Sequence, residues 1–197
     1  VVERQQEKYN QAIKSFEKAI DINPNYVQAH SNLGNCLQDI GQLDAAMTCY
    51  ENALIINPNY APSYLDIGFV HREKGQIDNA IKFFEKALAI NPNYAQAYDN
   101  LCNIKKYTIN KKHITKMKSL LSSDKLSPSD RRHICFALSK VNENLDNQDE
   151  LFKYLHEANR LRKQELNYSF DRSKTLFSTL KEMFSSPYSD IEKSLSS

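Results

Sequence analysis

Ala80–Tyr94 reads AIKFFEKALAINPNY, Ala12–Tyr26 reads AIKSFEKAIDINPNY, and the two stretches agree at 12 of 15 positions. Both end in Asn-Pro-Asn-Tyr, which occurs again at Asn57–Tyr60, so that the same turn returns every 34 residues. A period of this length accommodates two short helices and their turns, and such a unit cannot bury its apolar face without a neighbour stacked on it. The interval therefore predicts a helical repeat array.

The spacing of small and large residues between the turns repeats as well. It runs through His30, Leu33, Gly34, Leu37, Ala46, Tyr50, Ala53 and Pro58, and then through Tyr64, Ile67, Gly68, His71, Ala80, Phe84, Ala87 and Pro92. This order resembles the tetratricopeptide repeat (TPR) family. The resemblance implies an all-α fold, a right-handed superhelix of antiparallel helix pairs, here with a C-terminal helical extension.

Elementary packing explains these positions without the family. Gly34 and Gly68, with the alanines of the pattern, stand where two helix backbones must approach closely, and the large apolar residues supply the buried area. Gly41 and Gly75 are expected to end the first helix of a pair in a positive-φ conformation. We expect the proline of each turn to end the second helix and the Asn after it to form the turn.

Composition favours one elongated helical domain. With 41% hydrophobic residues but only 4 Gly and 6 Pro, the 197-residue chain does not fit a strand-and-turn architecture, and no apolar run reaches the length of a membrane span. The four cysteines show no C-x-x-C pairing and fall at inward-facing helical positions: Cys36, Cys49, Cys102 and Cys135. This favours buried free thiols over disulfides or zinc, and hence a cytoplasmic protein.

The array itself is predicted to occupy residues 1–108. Val1–Tyr9 is poorly patterned and is expected to belong to the first helix of a partial first repeat, with more protein upstream. Two complete repeats and the start of a fourth follow. After Tyr94 the pattern fails, since Ile109 stands where Gly is due and Ile114 where Ala is due.

A helical extension is predicted over residues 109–184. In order, it contains a helix at about Lys112–Ser122, a helix start at Ser127 and Pro128, a degenerate TPR-like pair at 132–163 and a last helix at Asp171–Phe184, before a loose tail at 185–197.

Residues 111–184 carry a resemblance of their own, to the helical region that precedes the catalytic domain in bacterial TPR-containing sulfotransferases. It rests on Leu126-Ser127-Pro128, Arg131, Phe136-Ala137-Leu138, Asp149, Phe152, Leu155, Glu157–Leu161 and Tyr168. It implies, as an alternative function, the N-terminal substrate-recruiting or regulatory arm of a larger sulfotransferase, or less favourably of a glycosyltransferase.

Catalytic motifs are missing from the chain itself. No glycine follows Gly75, so there is no glycine-containing phosphate loop between a strand and a helix, and the five histidines show no metal-binding spacing. We therefore predict a protein without catalytic residues, cofactor or metal, which works through its surface.

The first helices of a TPR array line its concave side, so residues at equivalent positions form ladders along the groove. Two ladders can be read: Asn32, Asp66 and Asn100, and then Asn35, Phe69 and Asn103. An amide carries both a donor and an acceptor and can bind the backbone of an extended peptide. The resemblance implies the same, because asparagine ladders hold peptides in TPR grooves, including those of O-linked N-acetylglucosamine transferases. The alternative is that these asparagines serve solubility and local capping, and that Phe69 serves packing.

A carboxylate clamp, which binds chaperone C-termini in some TPR proteins, is not expected. The positions that carry lysine or arginine in those proteins hold Ser31, Leu65 and Asp99, or Gln28, Pro62 and Gln96.

The charge of the chain changes near the predicted boundary. Residues 1–110 carry 10 basic and 12 acidic side chains, a net charge of −2, whereas residues 111–197 carry 16 and 12, a net charge of +4. One possible basic patch spans the boundary: Lys105, Lys106, Lys111, Lys112, Lys116 and Lys118, of which the last four contribute to the C-terminal excess. A solvated lysine face is favoured over a nucleic-acid site, because no aromatic residues interleave as stacking platforms. The expected partner is a protein or peptide, without a membrane.

Overall fold

The structure, a computed structural model, describes residues 2–104 and 109–166. These ranges contain nine helices and no strand, which confirms the all-α prediction. They are α1 (Val2–Ile22), α2 (Val27–Asp39), α3 (Leu43–Ile56), α4 (Ala61–Glu73), α5 (Ile77–Ile90), α6 (Ala95–Cys102), α7 (Lys111–Leu121), α8 (Pro128–Asn144) and α9 (Gln148–Glu165). The last predicted helix, Asp171–Phe184, and the tail at 185–197 lie outside the described residues.

The start of the chain differs from the expectation. α1 runs without a break from Val2 to Ile22 and packs against α2, so the residues before Tyr9 extend the second helix of a repeat instead of belonging to a first helix. The sequence contains neither Gly nor Pro before Pro24, and nothing therefore stops the helix from extending towards the N-terminus.

Close approach of a glycine to an aromatic ring holds each complete helix pair together. A Cβ added at Gly34 would lie 2.5 Å from Cε1 of Tyr50 on the paired helix, and one added at Gly68 would lie 2.5 Å from Cε1 of Phe84. Both rings are fully buried, as are the four alanines of the pattern: Ala46, Ala53, Ala80 and Ala87. The predicted role of the small residues as spacers is confirmed for these positions.

The Asn-Pro-Asn-Tyr turns use their first asparagine, not their second as expected. In the turn before α4, Asn57 Oδ1 accepts from the backbone N–H of Asn59 (3.0 Å), and Asn57 O accepts from the N–H of Tyr60 (3.1 Å). The short side chain of the first Asn reaches the backbone N–H two residues ahead of it, which is the geometry of an Asx turn. Asn23 and Asn91 repeat the same side-chain bond.

A second bond at each turn ties the following helix back to the proline. Six residues after the proline, a ring donates to its carbonyl: His30 Nε2 to Pro24 O (2.9 Å), Tyr64 Oη to Pro58 O (3.1 Å) and Tyr98 Oη to Pro92 O (3.0 Å). The bulky residue of the repeat pattern thus packs and also fixes the angle at which the next helix begins.

The two inter-helix glycines behave as predicted. Gly41 has φ 80° and Gly75 φ 72°, and nothing surrounds their Cβ positions. The next residue then bonds back into the helix, Gln42 N to Leu37 O and Gln76 N to His71 O, both at 2.8 Å. The link between α8 and α9 achieves the same closure with Asp146 at φ 54°.

A side chain caps each of the first two helices after residue 109, and the cap at Ser127 is the one that the sequence predicts. Asn110 caps α7 by accepting from the N–H of His113 (2.9 Å), and Ser127 caps α8 by accepting from the N–H of Asp130 (3.0 Å), with Pro128 in the first turn. α8 and α9 form the antiparallel pair predicted at 132–163.

This pair continues the array, because α8 packs directly on α6 and the core runs through both halves. One cluster of buried residues includes Leu65, Phe84, Leu88, Tyr98, Leu101, Met117, Leu120, Ile134, Leu138 and Val141. The predicted division near residue 108 falls in a segment outside the described residues and stays a prediction.

Replacing Gly68 by alanine tests the close approach. We expect Gly68→Ala to lower the free energy of unfolding by about 1–3 kcal/mol, because the methyl group overlaps the Phe84 ring in a filled core. Phe84→Leu should relieve that overlap, so the double variant should lose less than the sum of the two single losses. Urea unfolding followed by circular dichroism measures all three, and strictly additive losses would contradict the contact.

Candidate peptide-binding groove

Four of the six predicted groove residues come together. Asn32 and Asn35 on α2 are exposed, Asp66 and Phe69 on α4 are partly buried, and all four line one open cavity of about 410 Å³. We call this the groove cavity. It lies where α2, α4 and the start of α6 face one another, which is where stacked first helices were expected to form a groove.

The other two predicted residues lie elsewhere. Asn100 is buried, its Oδ1 accepts from Arg72 Nη1 (2.5 Å) and its Nδ2 donates to Gln96 O (2.7 Å). Asn103 is exposed, but its Nδ2 donates to the backbone and side-chain oxygens of Asp99, both at 2.8 Å, and it lines a neighbouring cavity. Both amides already have partners within the protein and neither lines the groove cavity, so the two ladders do not continue to α6.

Asp66 is the one carboxylate of the groove cavity that burial strongly perturbs. Its only hydrogen bond within the described ranges is a long one, from the buried Ser31 Oγ to Oδ2 at 3.4 Å. Burial raises the pKa of Asp66 from 3.8 to about 7, because the charged form loses water that Ser31 replaces only in part.

Two tyrosines of the Asn-Pro-Asn-Tyr turns complete the groove cavity and were not among the predicted groove residues. Tyr60 and Tyr94 are the N-caps of α4 and α6, and both line the groove cavity. Burial, followed by the negative charge of Asp66, raises the pKa of both phenols, which places them near that carboxylate. The signal was available, because a turn of Asn-Pro-Asn does not itself require a tyrosine at the fourth position in every repeat.

Phe69 packs against the core and also lines the groove cavity. Its ring meets Phe84 edge to face with centroids 5.5 Å apart, and the Arg72 guanidinium lies 5.0 Å from its centroid. The ring is therefore held in place from the core side while it still lines the groove cavity.

Comparison with known protein families agrees with this geometry. Residues 27–60 and 61–94 match the tetratricopeptide repeat family, and residues 2–41 match a related TPR repeat description. Residues 2–94 are tetratricopeptide repeats. These matches end before the extension, so the sulfotransferase resemblance of residues 111–184 stays a prediction.

Solved structures resemble the chain at the level of the fold. A crystal structure of MamA shares 22% identity and covers 84% of this chain and 95% of its own, with a TM-score of 0.54. A second MamA structure (22% identity, 85% and 90% covered) has a TM-score of 0.49. The first TPR of Spaghetti (RPAP3), bound to the HSP90 peptide SRMEEVD, has 20% identity, 60% and 84% covered and a TM-score of 0.45. A comparison with curated protein sequences finds no match.

Beyond the TPR repeats, charged side chains link α6 to the extension. His133 donates from Nδ1 to Asp99 Oδ2 (2.7 Å), since its Nε2 faces a donor, the guanidinium of Arg132, at 3.2 Å. Arg132 in turn pairs with Glu165 at 2.7 Å. Asp99, Arg132 and Glu165 line a cavity of about 760 Å³ between α6, α8 and α9, whose lining carries three basic and three acidic side chains.

The predicted basic patch is only partly brought together. Lys111, Lys112 and Lys116 line a cavity of about 960 Å³ between α5 and α7, and Lys118 does not line it. Lys105 and Lys106 lie outside the described residues. A nucleic-acid role for these lysines gains no support from this arrangement.

The thiols differ from the expectation in one respect. Cys102 and Cys135 are buried as predicted, but Cys36 and Cys49 are only half-buried, and all four are free. Within the described ranges no helix is both long and apolar enough to cross a membrane.

The raised pKa of Asp66 predicts how stability depends on pH. Between about pH 4 and pH 7 the folded protein retains a proton that the unfolded chain has lost, so stability falls as pH rises through this window. We expect Asp66→Asn to be more stable than the wild type by about 1–3 kcal/mol at pH 8 and to be equal to it at pH 4. Urea unfolding at both pH values measures the difference.

Asp78→Asn is the matched control, because Asp78 is exposed in the first turn of α5 and lies outside the groove cavity. The prediction fails if Asp66→Asn and the wild type show the same pH dependence.

Proposed function

We propose that this chain is a non-catalytic protein-interaction module, and that it holds an extended segment of a partner protein in the groove cavity. The observation that supports this most directly is the state of Asn32. Its amide is exposed at the groove cavity and makes no hydrogen bond within the described ranges, on a helix where asparagine is a poor choice for stability. A peptide backbone supplies the donor and acceptor that such an amide can use.

Asn35 offers a second, already oriented amide one turn further along α2. Its Oδ1 lies 2.8 Å from the hydroxyl of Tyr50, whose single proton is shared with Gln38 Oε1 at 2.9 Å, and its Nδ2 is left to donate towards the groove. An amide held in one orientation loses little freedom on binding, so it favours affinity at low entropic cost. Asn32 and Asn35 together can therefore hold successive groups of an extended backbone.

Asn100 and Asn103 have a different place in this proposal. Their amides are engaged within the protein, so they support the groove wall instead of contacting the peptide. A substitution such as Asn100→Lys would not test peptide binding, because it would place an ammonium next to Arg72 in a buried site and destabilise the fold.

The recruiting arm of a larger sulfotransferase stays the alternative and is compatible with peptide binding. The residues behind that resemblance also have structural functions, however. Ser127 caps α8, and Arg131 Nη2 donates to Leu121 O (3.1 Å) and Ser123 O (3.4 Å) at the preceding turn. These hydrogen bonds give Ser127 and Arg131 a structural role, and no feature of the described residues favours catalysis. The cytoplasmic location likewise stays a prediction.

A displayed random-peptide library, selected on the full chain, tests the proposal. Selected peptides should bind Asn32→Ala about tenfold more weakly in fluorescence polarisation, because a hydrogen-bonding amide is lost. Alanine is the better helix former, so this variant should unfold no more easily than the wild type.

Asn59→Ala is the control for the same substitution at the exposed turn before α4. Peptides that bind Asn32→Ala and the wild type equally would show that the groove assignment is incorrect, and a library without binders would remove the proposed function itself.

A further inference from the structure

We infer that the groove cavity selects its peptide by a lysine or arginine side chain, whose cationic end is received between Asp66 and the rings of Tyr60 and Tyr94. This inference deepens the proposed function and rests on it. It concerns which peptide is bound, whereas the amides of α2 concern how a backbone is held.

The charges of the groove cavity are of one sign. Its lining includes two carboxylates, Asp39 and Asp66, and no lysine, arginine or histidine. A cleft lined by one sign of charge concentrates ligands of the opposite sign. The cavity between α6, α8 and α9 differs, since its lining carries Arg132, Lys140 and Arg162 beside three acidic residues.

The carboxylate at the base of the groove cavity has no cationic partner in the described part of the protein. Its one hydrogen bond, from Ser31 Oγ, is long at 3.4 Å. The neighbouring cation on the same helix, Arg72, instead donates to Asn100 and stacks on Phe69. A cation from a peptide would supply the missing partner, and it would favour the ionised form of Asp66 that burial disfavours.

The walls suit the rest of such a side chain. Lysine and arginine have long apolar stems that pack on aromatic surface, and their cationic ends are attracted to ring faces. Tyr60, Tyr94 and Phe69 provide three rings in the cavity that Asp66 lines. One face of Phe69 is taken by Arg72, so the two tyrosines are the rings expected to meet the ligand.

The buried carboxylate disfavours acidic and small apolar side chains as ligands of the groove cavity. An acidic peptide would bring a like charge next to Asp66, and a small apolar side chain would leave that carboxylate desolvated and unpaired. A basic side chain is the one that satisfies both the carboxylate and the rings.

Peptides selected from the random library on the full chain are synthesised with acetylated N-termini and amidated C-termini for the binding measurements. The acetyl group ensures that no terminal ammonium can substitute for a side chain. One position should be enriched in Lys or Arg. Exchange of that residue for Gln should weaken binding to the wild type at least about tenfold, and binding to Asp66→Asn by less than about threefold. Asp78→Asn removes the same charge outside the groove cavity and should retain the wild-type preference.

The possible failures are distinguishable. Peptides whose binding is lost in Asn32→Ala, but which show no preference for Lys or Arg, would overturn this inference and leave the proposed function standing. The same holds if the preference survives in Asp66→Asn. A library without any binder would overturn both.

Discussion

The approach of a helix backbone to an aromatic ring is the constraint on which the rest of the fold depends. With no Cβ at Gly34 or Gly68, the ring of the paired helix lies within contact of the backbone, and the two helices of each pair come close enough to exclude water. The same rings support the groove. The hydroxyl of Tyr50 bonds to Asn35, and the ring of Phe84 holds Phe69 from behind, so the close packing of a pair also positions residues that line the groove cavity.

Polar bonds between successive repeats then set how the first helices lie beside one another. Two bonds join α2 to α4, from Ser31 to Asp66 and from Gln38 to Glu73. One bond joins α4 to α6, from Arg72 to Asn100. Another joins α6 to α8, from His133 to Asp99. These bonds span 28 to 35 residues, about one repeat each. Towards the C-terminus these bonds involve more charged side chains, which are then bonded within the protein. The ladder residues of α2 and α4 therefore line the groove cavity, whereas those of α6 are held by internal bonds.

Much of the candidate site could be predicted from the period alone, and the failures have physical reasons. Equal spacing places Asn32, Asp66 and Asn100 at equivalent positions, but it cannot show that an arginine from the preceding repeat reaches the last of them. It also hides Tyr60 and Tyr94, because a residue at a turn is separated in sequence from the helix faces that it covers. Whether such a side chain points into the groove depends on the helix of the next repeat.

The sequence by itself determined the helical repeat, the glycine and alanine spacers, the positive-φ glycines and the capped start of α8, because each follows from local backbone geometry and from a period that repeats. The tertiary structure alone decided that α8 continues the core beyond α6 and that the polar ladders end at α6. It also decided the environment of Asp66, since the pKa of a carboxyl depends on which neighbours displace its water, and those neighbours come from three helices distant in sequence.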